Sequence, residues 1–159
     1  MRLTTFTDYC LRVLIYVGTK RDGLATIDEI ADGYGISRNH LMKVVSRLGQ
    51  LGYLTTVRGK NGGMRLARDP ERITVGTVVR FTEEDLSLVE CFQGGGGRCR
   101  IEPACVLRQA LGEALEAFLS VLDGYTLADL LEPRSELSAL LRVAAPGHLA
   151  HLPAPEVSV

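Results

Sequence analysis

The chain has 159 residues, 46% of them hydrophobic and 23% charged, which suits one domain with a real core and excludes two large domains, a disordered chain or a collagen-like one. Its net charge of −1 conceals an asymmetry: residues 1–75 carry 12 Lys/Arg against 7 Asp/Glu, net +5, while residues 76–159 carry 6 against 12, net −6. Such a split points one half at a polyanion and the other at a different task, and no apolar stretch approaches the roughly 18 residues of a membrane span, so a soluble cytoplasmic protein without a membrane partner is expected.

Phe6, Cys10, Val13, Leu14 and Val17 recur at helical spacing and predict an amphipathic helix over about Thr5–Lys20. Asp8 and Arg12 interrupt its apolar positions, and no small-residue cleavage site follows, so it does not read as a secretion signal. After Gly23, Thr26 and Glu29 form a capping box that opens a short helix to about Gly33. Tyr34-Gly35-Ile36 makes a turn. Ser37 then caps a third helix with Leu41, Val44, Val45 and Leu48 inward and Arg38, Asn39, Lys43 and Arg47 outward. Helix, glycine-containing turn and helix form a helix-turn-helix.

Two short strand-like runs follow, Tyr53–Val57 and Met64–Ala67, joined by the basic segment Arg58–Gly63; they predict a β-wing. A short helix is expected over Val75–Glu84. Pro103 suits a helix's first turn, and from there to about Leu122 the seam Leu107, Leu111, Ala114, Phe118, Val121 calls for a partner helix. Short helices are expected from Thr126 and over Ser135–Val143, with an unstructured, proline-bearing tail from Ala144. The fold class is therefore mainly α, a winged helix-turn-helix domain with a long dimerisation helix. The division is a DNA-binding domain over 1–85, a cysteine loop over 86–105, the long helix and C-terminal helices over 103–143, and a disordered tail over 144–159.

Residues near the start of a major-groove helix read base edges, which makes Ser37, Arg38, Asn39, His40, Lys43 and Arg47 candidate contacts to double-stranded DNA. Arg58, Lys60 and Asn61 on the wing would meet phosphates or the minor groove, with Gly62 letting the backbone come close. An enzyme is not expected: there is no phosphate loop and no nucleophile–base pair.

Three of the four cysteines, Cys91, Cys99 and Cys105, fall in the pattern Cys-x7-Cys-x5-Cys, with four consecutive glycines at Gly94–Gly97. Thiolates bind zinc or iron, but the tight Cys-x2-Cys knuckles of structural zinc are missing. Wide spacing on a glycine-rich loop favours an iron–sulfur cluster, with zinc and free thiols as the alternatives. No fourth cysteine or histidine lies nearby. Cys10 reads as a small buried thiol of the first helix.

The segments Met1–Tyr9 (MRLTTFTDY), Tyr34–Lys43 (YGISRNHLMK), Val57–Gly63 (VRGKNGG), Ser87–Cys91 (SLVEC), Pro103–Cys105 (PAC) and Tyr125–Leu130 (YTLADL) together resemble the Rrf2 family of bacterial winged-helix regulators, within it the nitric oxide-sensing repressors. The resemblance spans about residues 1–143. It implies a homodimer that binds operator DNA and loses it when nitric oxide attacks an iron–sulfur cluster. One cluster per subunit is implied, [4Fe–4S] in preference to [2Fe–2S], held by Cys91, Cys99 and Cys105 with Asp8 of the other subunit. By itself Asp8 reads as an acid at a helix start, favoured by the dipole. Two departures stand out. The gap between Cys91 and Cys99 is longer than is usual in the family, and Arg108 stands where the family's cluster-assembly regulators carry a histidine ligand. An Rrf2-type regulator of cluster assembly, or a thiol switch that senses oxidants, is the alternative.

Overall fold

The computed structural model describes residues 2–20, 22–92 and 99–143. Seven α-helices are described, α1 (Thr5–Thr19), α2 (Ile27–Tyr34), α3 (Arg38–Gln50), α4 (Val75–Thr82), α5 (Val106–Asp123), α6 (Leu127–Leu130) and α7 (Arg134–Leu140), with two strands, β1 (Leu54–Val57) and β2 (Gly63–Leu66). Each predicted element is present with its ends shifted by a few residues. Pro103 is the exception. It lies in a separate 3-10 turn, Glu102–Ala104, because the helix proper starts only after Cys105 supplies a side-chain cap.

Helix α1 forms the centre. Cys10, Val13, Leu14, Tyr16 and Val17 are buried and share one core with Ile30, Leu41, Val44, Leu48, Tyr53, Leu54 and Met64 of the winged-helix elements. Leu127, Leu131 and Leu141, from α6 and the end of α7, join that same core. The C-terminal helices thus fold back over α1, where Arg134 donates to the Gly18 carbonyl at 2.6 Å. A smaller cluster of Val75, Val79 and Leu119 seats α5 on α4, with Leu115, Phe118 and Leu122 packed around it. A bidentate ion pair between Arg80 and Asp123 (2.5 and 2.7 Å) closes the same contact.

The wing pairs antiparallel, with Leu54 opposite Leu66 and Val57 opposite Gly63. Ala25 adds a bridge to Met64, each backbone N–H reaching the other's carbonyl at 2.7–2.9 Å. At the tip Gly62 donates to the Gly59 carbonyl at 2.9 Å, and a Cβ at Gly62 would collide with the Val57 carbonyl. Between α2 and α3, Gly35 adopts φ 67°, a left-handed cap that costs glycine little and lets α3 leave at an angle.

The capping box of α2 is fully made, with the Thr26 hydroxyl accepting from the Glu29 N–H and Glu29 accepting from the Thr26 N–H at 2.8 Å. Burial alone would raise the Glu29 pKa, but hydrogen bonds from Lys20 Nζ at 2.6 Å and from Thr26 hold it below its ordinary value of 4.5. A carboxylate with a lowered folded pKa stabilises above its unfolded value and loses that contribution as pH falls through the folded one. Thr26→Ala should cost about 1 kcal/mol at neutral pH. Glu29→Gln should also be less stable than the parent near pH 7, with the gap closing below pH 4.5. Urea unfolding across that range checks this; a gap independent of pH would mean that ionised Glu29 is not its source.

Candidate functional site

The first candidate surface is the outer face of α3. Ser37 caps the helix by accepting the His40 N–H, and the four apolar side chains Leu41, Val44, Val45 and Leu48 are buried. Their burial fixes the helix rotation, so that Arg38, Asn39, His40, Met42, Lys43, Ser46 and Arg47 are exposed. Several of these are held by the protein itself. Arg38 is ion-paired with Asp28 of α2. Arg47 donates to the Phe81 carbonyl at the end of α4 at 3.2 Å. The His40 ring rests on Tyr9 of α1, centroids 6.0 Å apart. These partners lie 10, 34 and 31 positions away, so no local spacing announces them.

On the wing, Arg58, Lys60 and Asn61 are exposed, and Gly62 is half-buried beneath them. The wing tip and α3 therefore form two basic projections from one core, one rigid through helix packing and one fixed by a tight glycine turn.

The second candidate site is the cysteine segment. Cys91 lies half-buried in the one-turn helix Glu90–Phe92, Cys99 is exposed, and Cys105 is half-buried at the N-cap of α5. The Cys105 Sγ accepts the Arg108 N–H at 3.4 Å, a position at a helix start that suits negative charge on sulfur. The Arg108 guanidinium lies 6.0 Å from the centre of the Phe92 ring and 3.8 Å from Glu102. It thus spans the turn that carries Cys91 and the turn that precedes Cys105. A pocket of about 670 Å³ opens there, lined by Phe92, Glu102, Pro103, Cys105, Arg108 and Gly112 among others.

Among the described residues, no three His, Cys, Asp or Glu side chains are grouped to hold one metal ion. The expected glycine run Gly94–Gly97 lies outside the described residues. The donor set itself fits an iron–sulfur cluster: three free thiols outside the core, two half-buried and one exposed, with none spent on a disulfide. Cys10 contrasts with them. It is fully buried, and burial pushes its thiol up to about 12, with Arg47 opposing the rise.

Asp8 lies in the first turn of α1. Arg12 Nε reaches both of its carboxylate oxygens at 3.0–3.1 Å, and the Arg12 guanidinium sits 5.7 Å from the centre of the Tyr34 ring. Tyr34 immediately precedes the Gly35 turn into α3. The candidate acid and the candidate reading helix are therefore two contacts apart along one path, while Tyr9, the neighbour of Asp8, touches α3 directly through His40.

Along α5, Leu107 and Val121 are 65% and 62% exposed, Ala110, Ala114 and Ala117 are exposed, and Leu111 is half-buried. This apolar row is the seam expected from the sequence, with one change: Phe118 packs on the chain's own Val75 and Val79 cluster. Among the described residues no helix is long and apolar enough to cross a membrane.

Residues 3–133 match the Rrf2 family, described as an iron-dependent transcriptional regulator. The chain is 53% identical over 144 residues to the HTH-type transcriptional regulator NsrR of Bacillus subtilis, covering 90% of this chain and 99% of that protein. It is 56% identical over 143 residues to NsrR of Geobacillus kaustophilus, covering 89% and 97%. Among solved structures, it resembles CymR, the global cysteine regulator of B. subtilis, with TM-score 0.67 and 30% identity over 82% of this chain and 95% of that one. It also resembles IscR of T. potens, with TM-score 0.68 and 25% identity over 92% and 94%.

Proposed function

The chain belongs to the Rrf2 family of transcriptional regulators, and from that membership we propose that it is a nitric oxide-responsive repressor that binds operator DNA as a homodimer and holds one iron–sulfur cluster per subunit. The observation that carries this reading is relatedness to NsrR across 144 residues, a span that includes the helix-turn-helix, the wing, the cysteines and the long helix together. The family is one of regulators and not of enzymes. Residues 1–85 would read DNA, 86–105 would carry the sensor, and α5, within 103–143, would join the subunits.

Cys91, Cys99 and Cys105 would hold the cluster, [4Fe–4S] in preference to [2Fe–2S], and Asp8 of the partner subunit would complete its ligands. When bound, the cluster supplies iron centres reactive towards nitric oxide. The rest is done by the chain. To serve as a ligand, Asp8 must give up or share Arg12. Both side chains of this i,i+4 pair are nearly half exposed, so releasing it costs only about 0.5 kcal/mol. An Asp8 tied across the interface would fix the start of α1, and with it Tyr9 against His40 and Arg12 beside Tyr34. Without that tie, the Tyr9 contact to α3 and the Arg12 contact to the end of α2 would be free to shift. A 10- to 100-fold change in DNA affinity needs only about 1.4–2.8 kcal/mol of coupling, and half-sites roughly 34 Å apart make binding sensitive to small changes in helix spacing.

On DNA, Asn39 would pair with a base while Lys60 meets phosphate. Asn39→Ala should cost about 1–3 kcal/mol on the preferred sequence and relax that preference, whereas Lys60→Ala should weaken all DNA similarly and lower the salt slope by about one. Filter binding or fluorescence anisotropy at several salt concentrations separates the two; equal losses on specific and random DNA for Asn39→Ala would remove it from base reading.

The reading as a whole is tested by anaerobic purification. A brown protein whose native mass matches a cluster-loaded dimer, and whose DNA affinity falls on exposure to a nitric oxide donor, is the expected result. A colourless protein that carries zinc, or one whose DNA binding answers to thiol oxidants and not to nitric oxide, would overturn it.

A further inference from the structure

Helix α3 has 3.6 residues per turn, so the direction opposite its buried row of Leu41, Val44, Val45 and Leu48 falls on Asn39, Lys43, Ser46 and Gln50, with Met42 about as far round to one side of that face as Arg47 is to the other. Three residues towards the edges of that face are engaged by the protein: Arg38 by Asp28, Arg47 by the Phe81 carbonyl and His40 by Tyr9. The four central side chains are all exposed and all polar. Met42 is apolar, and it keeps 51% of its surface in water on a helix whose other large apolar side chains are at most 7% exposed. Solvation of the face would be served better by a polar residue at that position.

The apolar feature of the major groove is the C5-methyl of thymine, which apolar side chains contact. A methionine suits that contact, since its unbranched, flexible thioether adapts to a small target. We propose that Met42 is a specificity-determining residue that packs the end of its side chain against a thymine methyl in each half-site, one helical turn from Asn39. The inference rests on the reading of α3 as the DNA-reading helix and adds a base preference to it. It assigns discrimination to a side chain whose thioether is at most a weak hydrogen-bond acceptor and acts through apolar contact.

Deoxyuridine tests it, because replacing thymine removes the methyl and nothing else. A duplex selected by full-length, anaerobically purified protein from a randomised library would have each thymine replaced in turn. The parent protein should lose about fourfold in affinity at one thymine per half-site, the effect of one buried methyl. Met42→Ala should bind the thymine and uracil duplexes equally. It should also melt at the parent's temperature, because the side chain is exposed. Parent protein indifferent to uracil at every position, or Met42→Ala retaining the parent's loss, would overturn the assignment. Asn39→Ala and Lys43→Ala are made in parallel. If they alter affinity while Met42→Ala still discriminates uracil, only the role of Met42 falls; if neither alters binding, α3 is not the reading helix and both readings fall.

Discussion

Replacing Cys91, Cys99 or Cys105 singly with Ala should abolish cluster retention, whereas Asp8→Ala should keep a cluster with altered visible absorption and faster loss in air. The difference follows from ligand chemistry. Loss of one thiolate removes a strong iron ligand from a set of three, while loss of a carboxylate, a harder and more weakly held ligand to iron–sulfur, opens one position to solvent. Cys10→Ala should leave retention untouched, since that thiol is fully buried in α1. Heterodimers make the test of Asp8 sharper. A dimer of one Asp8→Ala chain and one Cys99→Ala chain can hold one cluster, on the chain with intact cysteines. If ligation crosses the interface, that cluster receives Asp8 from the other chain and its spectrum is that of the parent. A spectrum like Asp8→Ala would place ligation within one subunit, or leave Asp8 as a helix-start acid paired with Arg12. Any Cys→Ala variant that keeps a full cluster would remove that residue from the ligand set.

The double variant Leu107→Glu, Val121→Glu should be monomeric and should bind DNA about 100-fold or more weakly. Both side chains are more than 60% exposed in the single chain, so the substitutions leave the protomer's core intact. In a two-fold seam, however, they place four carboxylates where apolar surface should meet, and a buried unpaired charge costs several kcal/mol. A monomer then engages one half-site at a time and forfeits the avidity of two, a factor of about 10²–10⁴. Analytical ultracentrifugation and DNA titration check the two halves of this expectation, and a variant that remains dimeric would mean that the seam is not the interface. Phe118→Glu should behave differently. Phe118 packs beside Val75, Val79 and Leu119, so its replacement should lower Tm through the protomer itself.

Much of this was legible along the chain because the signals are local. The Thr26 and Glu29 box, the Ser37 cap and the Gly35 turn are each settled within four residues, and so are the Gly59 to Gly62 turn of the wing and the Thr126 and Asp129 box of α6. Apolar period fixed which sides of α1 and α3 go inward. The tertiary structure decided what depends on partners distant in sequence. It turned Phe118 of the apparent seam towards α4, folded α6 and α7 back onto α1 so that Leu131 and Leu141 share a core with Leu14, and added Ala25 to the wing. It also sorted the charged residues of α3, tying Arg38 to Asp28 and Arg47 to the Phe81 carbonyl while leaving Asn39, Met42 and Lys43 outward. The physical reason is one of range. Caps and turns are closed by atoms a few bonds apart, whereas a long side chain on a helix surface chooses its partner from whatever packing brings within reach.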